Sequence, residues 1–283
     1  MIYKNKQYEA ERALYNIKNC DVIDCNFEGP EDGESPLKEC KNVNITSCML
    51  NLRYPFWHND YSTITDCIMK ENCRAPLWYC NHIQITNTTC SGVKAVRECN
   101  QIKVNNSTFQ SEEFGWKSNN LVLEKSNFSG NYFLFNSNNV IISDSSLNGK
   151  YSFQYMKNVK VKNCKLNTKD AFWHSNNVTI ENSYLEGEYI AWYSKNLTFI
   201  NCTIKGTQPF CYCKGLKLIN CQLIDADFAF ENSEVNATLK GKVISIKNPL
   251  KGKIIVDEVD DIIIQDYTKL PKGKIIVRNS QEN

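Results

Sequence analysis

Along the chain, apolar residues alternate with polar ones over short stretches, and the stretches recur at a fixed distance. The segments NNVIISDSSL, KNVKVKNCKL, NNVTIENSYL and KNLTFINCTI align as N-h-x-h-x-N-[SC]-x-h, where h is apolar. The pattern begins at Asn19, Asn42, Tyr61, His82, Gln101, Asn120, Asn139, Asn158, Asn177, Asn196 and Gly215, at intervals of 23, 19, 21 and then seven of 19. Its second position holds Val43, Ile83, Ile102, Leu121, Val140, Val159, Val178, Leu197 and Leu216; its fourth runs from Val22 and Ile45 to Phe199 and Leu218. Aliphatic and β-branched side chains at this two-residue spacing predict a strand with one buried face. The ninth position is again large and apolar, from Phe27 and Leu50 to Ile204 and Leu223, whereas the seventh holds only Cys, Ser or Thr.

A 19-residue unit that buries one face is not stable alone, so its neighbours must stack into a shared core. A leucine-rich repeat has similar apolar offsets but needs about 20–29 residues for its return leg. Here the return segments, such as GKYSFQYMK, GEYIAWYSK and TQPFCYCK, are aromatic, lack a helical period and read as strands. The prediction is an all-β chain: a single-stranded, right-handed parallel β-helix of about eleven or more rungs, each about 4.8 Å above the last. The solenoid spans 15–232. Residues 1–14, with the run Glu9-Ala10-Glu11-Arg12-Ala13-Leu14, are expected to cap it. Residues 233–283, where the register fails and KGKIIV occurs twice, are expected to form irregular rungs or a β cap. Gly29 to Pro36 is a loop by composition.

Stacking explains two excesses in the composition. Asparagine tolerates left-handed turns, and its amide both donates and accepts. Asn139, Asn158, Asn177 and Asn196 should therefore form one ladder, and Asn163, Asn182, Asn201 and Asn220 another. His82 falls in an Asn column, which gives it a turn role. The 14 cysteines contain no C-x-x-C pair, so no metal site or cofactor is expected; most are read as packing thiols in small-residue columns. Adjacent-rung pairs such as Cys202 with Cys221 and Cys80 with Cys99 are the ones near enough for oxidation.

With 33 Lys and Arg against 31 Asp and Glu, no general field favours nucleic acid. No apolar run approaches a membrane span. The opening MIYKNKQYEAERALYNIKN carries charge throughout, so a cytoplasmic location is expected.

The functional lead lies in the return leg. Its sixteenth position holds Trp57, Trp116, Trp173 and Trp192, with Arg97 in the same line, and Trp78 joins them when the 21-residue rung is aligned from its end, so all five tryptophans share one column. The preceding residue is usually apolar, as in Phe56, Leu77, Phe153 and Phe172, and should point inward, leaving the Trp faces outward. The following column holds His58, Tyr79, Glu98, Lys117, Tyr155, His174, Tyr193 and Tyr212. Aromatic faces beside ionisable groups suit a carbohydrate or another flat small molecule. The candidate ligand-binding residues are Trp57, His58, Trp78, Arg97, Trp116, Asp170, Trp173, His174, Trp192 and Tyr193. The competing reading is a purely structural aromatic ladder. A polysaccharide lyase or glycoside hydrolase would need at least two of Glu98, Asp170, Asp225, Asp227 and Glu231 to converge. An interaction solenoid would associate through its aromatic face or its ends.

At the level of these columns the chain resembles the right-handed parallel β-helix superfamily that includes pectate lyases and polygalacturonases. NLTFINCTIKGTQPFCYCKGLKLINC, FWHSNNVTIENSYLEGEYIAWYS and SIKNPLKGKIIVD are more closely similar to a widespread bacterial family of uncharacterised β-helix proteins, over nearly the whole length. The superfamily implies polysaccharide substrates. Its N-T-D, G-H-G and R-I-K motifs are absent, and Arg74-Ala75-Pro76 matches R-x-P-x-x-R only in part, so the resemblance assigns no catalytic residue.

Overall fold

A computed structural model describes residues 1–30, 33–265 and 272–279; Glu31 and Asp32 of the expected loop and part of the expected C-terminal cap lie outside these. The chain divides into two compact units, Met1–Ser146 and Leu147–Asn283. Each is a parallel β-solenoid with the expected period, and there is no helix among the described residues.

In Met1–Ser146 the long strands include Lys18–Ile23, Lys41–Thr46, Asp60–Thr65, Asn81–Thr86, Asn100–Asn105 and Asn119–Glu124. They pair in parallel and in register, so that Val22, Ile45, Ile64, Ile85, Val104 and Leu123 lie over one another, all buried. Short strands such as Asn26–Phe27, Met49–Leu50 and Thr108–Gln110 bring the ninth column into the same core. Within the 1–14 segment, Ile2–Lys4 pairs with Asp21–Ile23 and Gln7–Tyr8 with Asn26–Phe27, so it extends the ladder.

In Leu147–Asn283 the long strands Lys157–Lys162, Asn176–Glu181 and Lys195–Ile200 stack Val161 on Ile180 on Phe199. Beyond them Leu216–Ile224 runs through both strand positions of its rung, and its pairing with Glu234–Lys240 slips between Leu218 and Cys221. After this slip the spacing changes: Glu234 pairs with Lys251, and Lys253 with Lys274. Lys242–Lys247 pairs separately with Glu258–Ile263.

The return legs are not the strands the sequence suggests. Three alternating residues of most legs are left-handed, as in Tyr151, Phe153 and Tyr155 (φ +59°, +61° and +58°) and in Tyr189, Ala191 and Tyr193 (+56°, +65° and +59°). Burial comes in pairs instead of alternating: Ala171 and Phe172 are buried while Trp173 and His174 face out. That is the signature of a chain of turns, not of a pleat. Each non-glycine residue held left-handed costs about 1–2 kcal/mol. Bonds between rungs offset this, such as Tyr155 N–H to the Trp173 carbonyl (2.8 Å) and Phe172 N–H to the Ser152 carbonyl (2.9 Å).

The polar columns hold the corners. Asn177 Nδ2 donates to Asn158 Oδ1 (2.7 Å), and Asn220 to Asn201 to Asn182 (2.6 and 3.2 Å), all in left-handed turns. Asn196 departs from its expected ladder by donating to Asn176 (3.1 Å) instead of Asn177. His82 occupies its turn at φ +53°. The seventh column is small because it caps buried amides: Ser107 N–H donates to Ser126 Oγ (3.1 Å), whose hydroxyl donates to the Glu124 carbonyl (2.7 Å).

Candidate functional site

In the legs that carry the tryptophans, the Trp and the residue after it both face out, so each of these legs presents two adjacent side chains; Cys211 and Phe230, in the same column further on, are buried. In Met1–Ser146, Trp57 stacks on Trp78 (centroids 5.6 Å, 15°) and His58 on Tyr79 (5.1 Å, 19°). Lys38 Nζ lies 4.1 Å from the Trp57 ring, and the Arg97 guanidinium 5.4 Å from that of Trp116. Arg97 also contacts Glu113 (3.4 Å) and Glu98 (3.6 Å). Trp116 donates its indole N–H to the Tyr132 carbonyl at 2.7 Å, whereas the indole nitrogens of Trp57 and Trp78 are buried without an acceptor.

In Leu147–Asn283, Trp173 stacks on Trp192 at 5.5 Å and 6°. Their indoles donate to the Tyr189 and Gln208 carbonyls of the following rung (2.7 and 2.8 Å). Beside them Tyr155, His174, Tyr193 and Tyr212 form a second ladder, with centroid spacings of 5.0, 5.3 and 4.7 Å. The expected line of outward Trp faces is thus not what forms. The tryptophans are half-buried, Trp57 stacked on Trp78 and Trp173 on Trp192, and the indole N–H groups of Trp116, Trp173 and Trp192 are tied to backbone; the exposed surface is made largely of Tyr and His edges. Rung spacing is close to the distance at which aromatic rings stack, so a column of rings closes on itself.

Asp170 differs from its surroundings. It lies on the same turn as Trp173 and His174, is only 8% exposed, and its carboxylate has no hydrogen-bond donor among the described residues. Its backbone is engaged: the N–H donates to the Glu188 carbonyl, and its carbonyl accepts from Gln154 Nε2. Desolvation raises the Asp170 pKa above the ordinary carboxylate range, Lys169 opposing it and Glu188 adding to it. Its oxygens keep access to the surface, where solvent or a ligand can supply the donors that the protein does not.

The other carboxylates serve separate contacts. Asp227 accepts from the Thr207 hydroxyl and the Gln208 N–H, Glu231 pairs with Lys247 at 3.0 Å, and Asp225 is exposed. Glu98 belongs to the Arg97 network of the other unit. All fourteen cysteines are free and buried. Burial pushes the thiols of Cys40, Cys90, Cys211 and Cys213 up to about 12, so they stay protonated as packing groups. A second inward polar column went unread in the sequence. Cys99 N–H donates to Ser118 Oγ and Ser118 N–H to Ser137 Oγ (both 3.0 Å), and the Cys213 N–H bonds Ser233 Oγ at 2.8 Å. Its signal was present as a small residue two places before most repeats, hidden by the louder aromatic columns beside it.

The DUF3737 family, described as protein of unknown function, matches residues 1–277. The chain belongs to DUF3737. Among solved structures, this DUF3737 protein is similar to a tailspike protein double mutant of E. coli bacteriophage HK620. Identity is 10%, the TM-score is 0.40, and the match covers 94% of this chain but 61% of the tailspike. It is also similar to the mannuronan C-5 epimerase A-module of Azotobacter vinelandii (8% identity, 97% and 88% of the two chains, TM-score 0.31). The exopolygalacturonase of Thermotoga maritima matches at 9% identity over 96% and 84% of the chains, with a TM-score of 0.34. No curated protein matches the sequence.

Proposed function

We propose that this DUF3737 protein is a carbohydrate-binding solenoid, with the aromatic corner of Leu147–Asn283 as its binding surface. The observation that carries this reading is Asp170, a largely buried residue on the turn that holds Trp173 and His174, whose carboxylate opens to the surface and takes no donor from the protein. Such a group retains its cost of desolvation unless an external donor reaches it, and sugar hydroxyls are donors of the required kind. Around it the Trp173–Trp192 ladder supplies a rigid half-buried wall, and His174 and Tyr193 supply polar edges. In this reading Asp170 accepts hydrogen bonds from ligand hydroxyls while the aromatic residues shape the contact. Glu98, Asp227 and Glu231 are engaged in other contacts, which favours binding without hydrolysis.

The test is calorimetric titration of a panel of oligosaccharides, with intrinsic tryptophan fluorescence followed in parallel. At least one member should bind and perturb the fluorescence, and D170A should weaken it about tenfold, the loss of one charge-assisted hydrogen bond. A panel that gives neither heat nor a fluorescence change, or a D170A variant that binds as tightly as the parent, overturns the proposal.

A further inference from the structure

The long-strand face of Met1–Ser146 carries two adjoining depressions, with cavity volumes of about 440 and 420 Å³, and both are lined by Asn42 and Tyr61. Neither belongs to the aromatic corner. Tyr61 stands in the column of turn residues that mostly holds asparagine, and another ring stacks on it from one side only. There its ring stacks on His82 (4.1 Å, 7°), and His82 Nδ1 lies 3.1 Å from Asp60 Oδ1, which fixes the pair. On the other side the column continues as Asn42 and Asn19, whose amides bond each other at 2.8 Å and are too short to cover a phenol ring. Tyr61 is accordingly 51% exposed.

The charges beside this ring are arranged at a cost. Lys18 and Lys41 lie directly opposite each other in the parallel ladder, and like charges so placed destabilise a sheet. Lys41 is partly compensated by Asp60 at 3.8 Å and lies 5.6 Å from the Tyr61 ring. Lys18 has no ion-pair partner among the described residues. Both lysines, Asn19, Asn42 and Tyr61 line the same depression. A half-exposed ring, two ladder amides and two cations, of which only Lys41 has a carboxylate partner, therefore share one concavity.

We infer that this depression is a second binding site, for a sugar-sized ring that carries an anionic group, carboxylate or phosphate. The ring packs on the open face of Tyr61, the anion sits against Lys18 and Lys41, and ring hydroxyls meet the amides of Asn19 and Asn42. His82 and Asp60 act behind Tyr61 and position it.

The inference is tested by calorimetric titration of the full chain with glucuronate, glucose 6-phosphate, glucose and inorganic phosphate. One or both charged sugars should bind at least about tenfold more tightly than glucose or phosphate alone, and more weakly as salt is raised. Comparing glucuronate with glucose 6-phosphate tells carboxylate from phosphate. Y61A and the double variant K18Q/K41Q should each weaken binding about tenfold. Both are surface changes, and K18Q/K41Q should melt no lower than the parent because it removes a repulsion. D170N should leave this binding unchanged, which separates the site from the corner proposed above. Glucose binding as well as glucuronate and glucose 6-phosphate, no binding by either charged sugar, or Y61A binding like the parent would each overturn it.

Discussion

Replacing Asp170 with asparagine removes a charge while keeping the shape of the side chain and its tolerance of the left-handed turn at φ +53°. The carboxylate is partly desolvated and takes no donor from the protein, so its ionised form is worse off in the folded chain than in the unfolded one. The sign follows from the raised pKa: the parent has the full benefit of a neutral Asp170 below the unfolded pKa and loses it as pH rises through the folded pKa. D170N carries no such dependence. At neutral pH the variant should be more stable by about 1 kcal/mol, the scale of one unsatisfied buried polar group, and should melt a few degrees higher. As pH falls and the parent carboxylate takes up its proton, the two melting curves should converge. Differential scanning calorimetry from neutral to acidic pH measures both effects. Meanwhile D170N should lose oligosaccharide affinity, because an amide is a weaker acceptor than a carboxylate. A gain in stability with a loss of binding is what a site kept at the expense of folding predicts. A variant less stable than the parent at neutral pH would show that Asp170 is structural and refute the reasoning.

Other substitutions probe the solenoid itself. A Cβ on Gly206, at φ +137°, would lie 2.2 Å from the Gly187 carbonyl oxygen; G206A should therefore cost about 3 kcal/mol or more, read as a lowered urea midpoint. S118A removes the acceptor of the buried Cys99 N–H and should cost about 1–3 kcal/mol, whereas S118C, matching cysteines elsewhere in that column, should cost less; equal losses would discount the hydrogen bond. In the native protein at pH 8 the fourteen thiols should resist an aromatic disulfide reagent and should all react in denaturant, since they are buried and four are pushed up to about 12; rapid native labelling would contradict this packing.

Register, core and corner ladders were legible from the residues, because in a parallel stack one period determines which side chains lie over one another. Thus the buried line from Val22 to Leu123, the left-handed asparagines and the packing thiols all follow from columns. The return legs did not follow. Tyr, Phe and Trp favour strands locally, and only the need to turn within a few residues, supported by bonds to the rungs on either side, holds Tyr151, Phe153 and Tyr155 left-handed.

The same division holds for the candidate sites. That five tryptophans share one line is a property of the sequence; that Trp173 closes on Trp192 while Asp170 takes no donor from the protein depends on distances between rungs. Tyr61 was visible as a departure from an asparagine column. Its significance came from what packs on each side, His82 against one face and two short amides beside the other, with Lys18 opposite Lys41. A repeat prescribes which residues are neighbours, whereas exposure and compensation depend on the whole set of side chains that meet, and only the folded chain brings that set together.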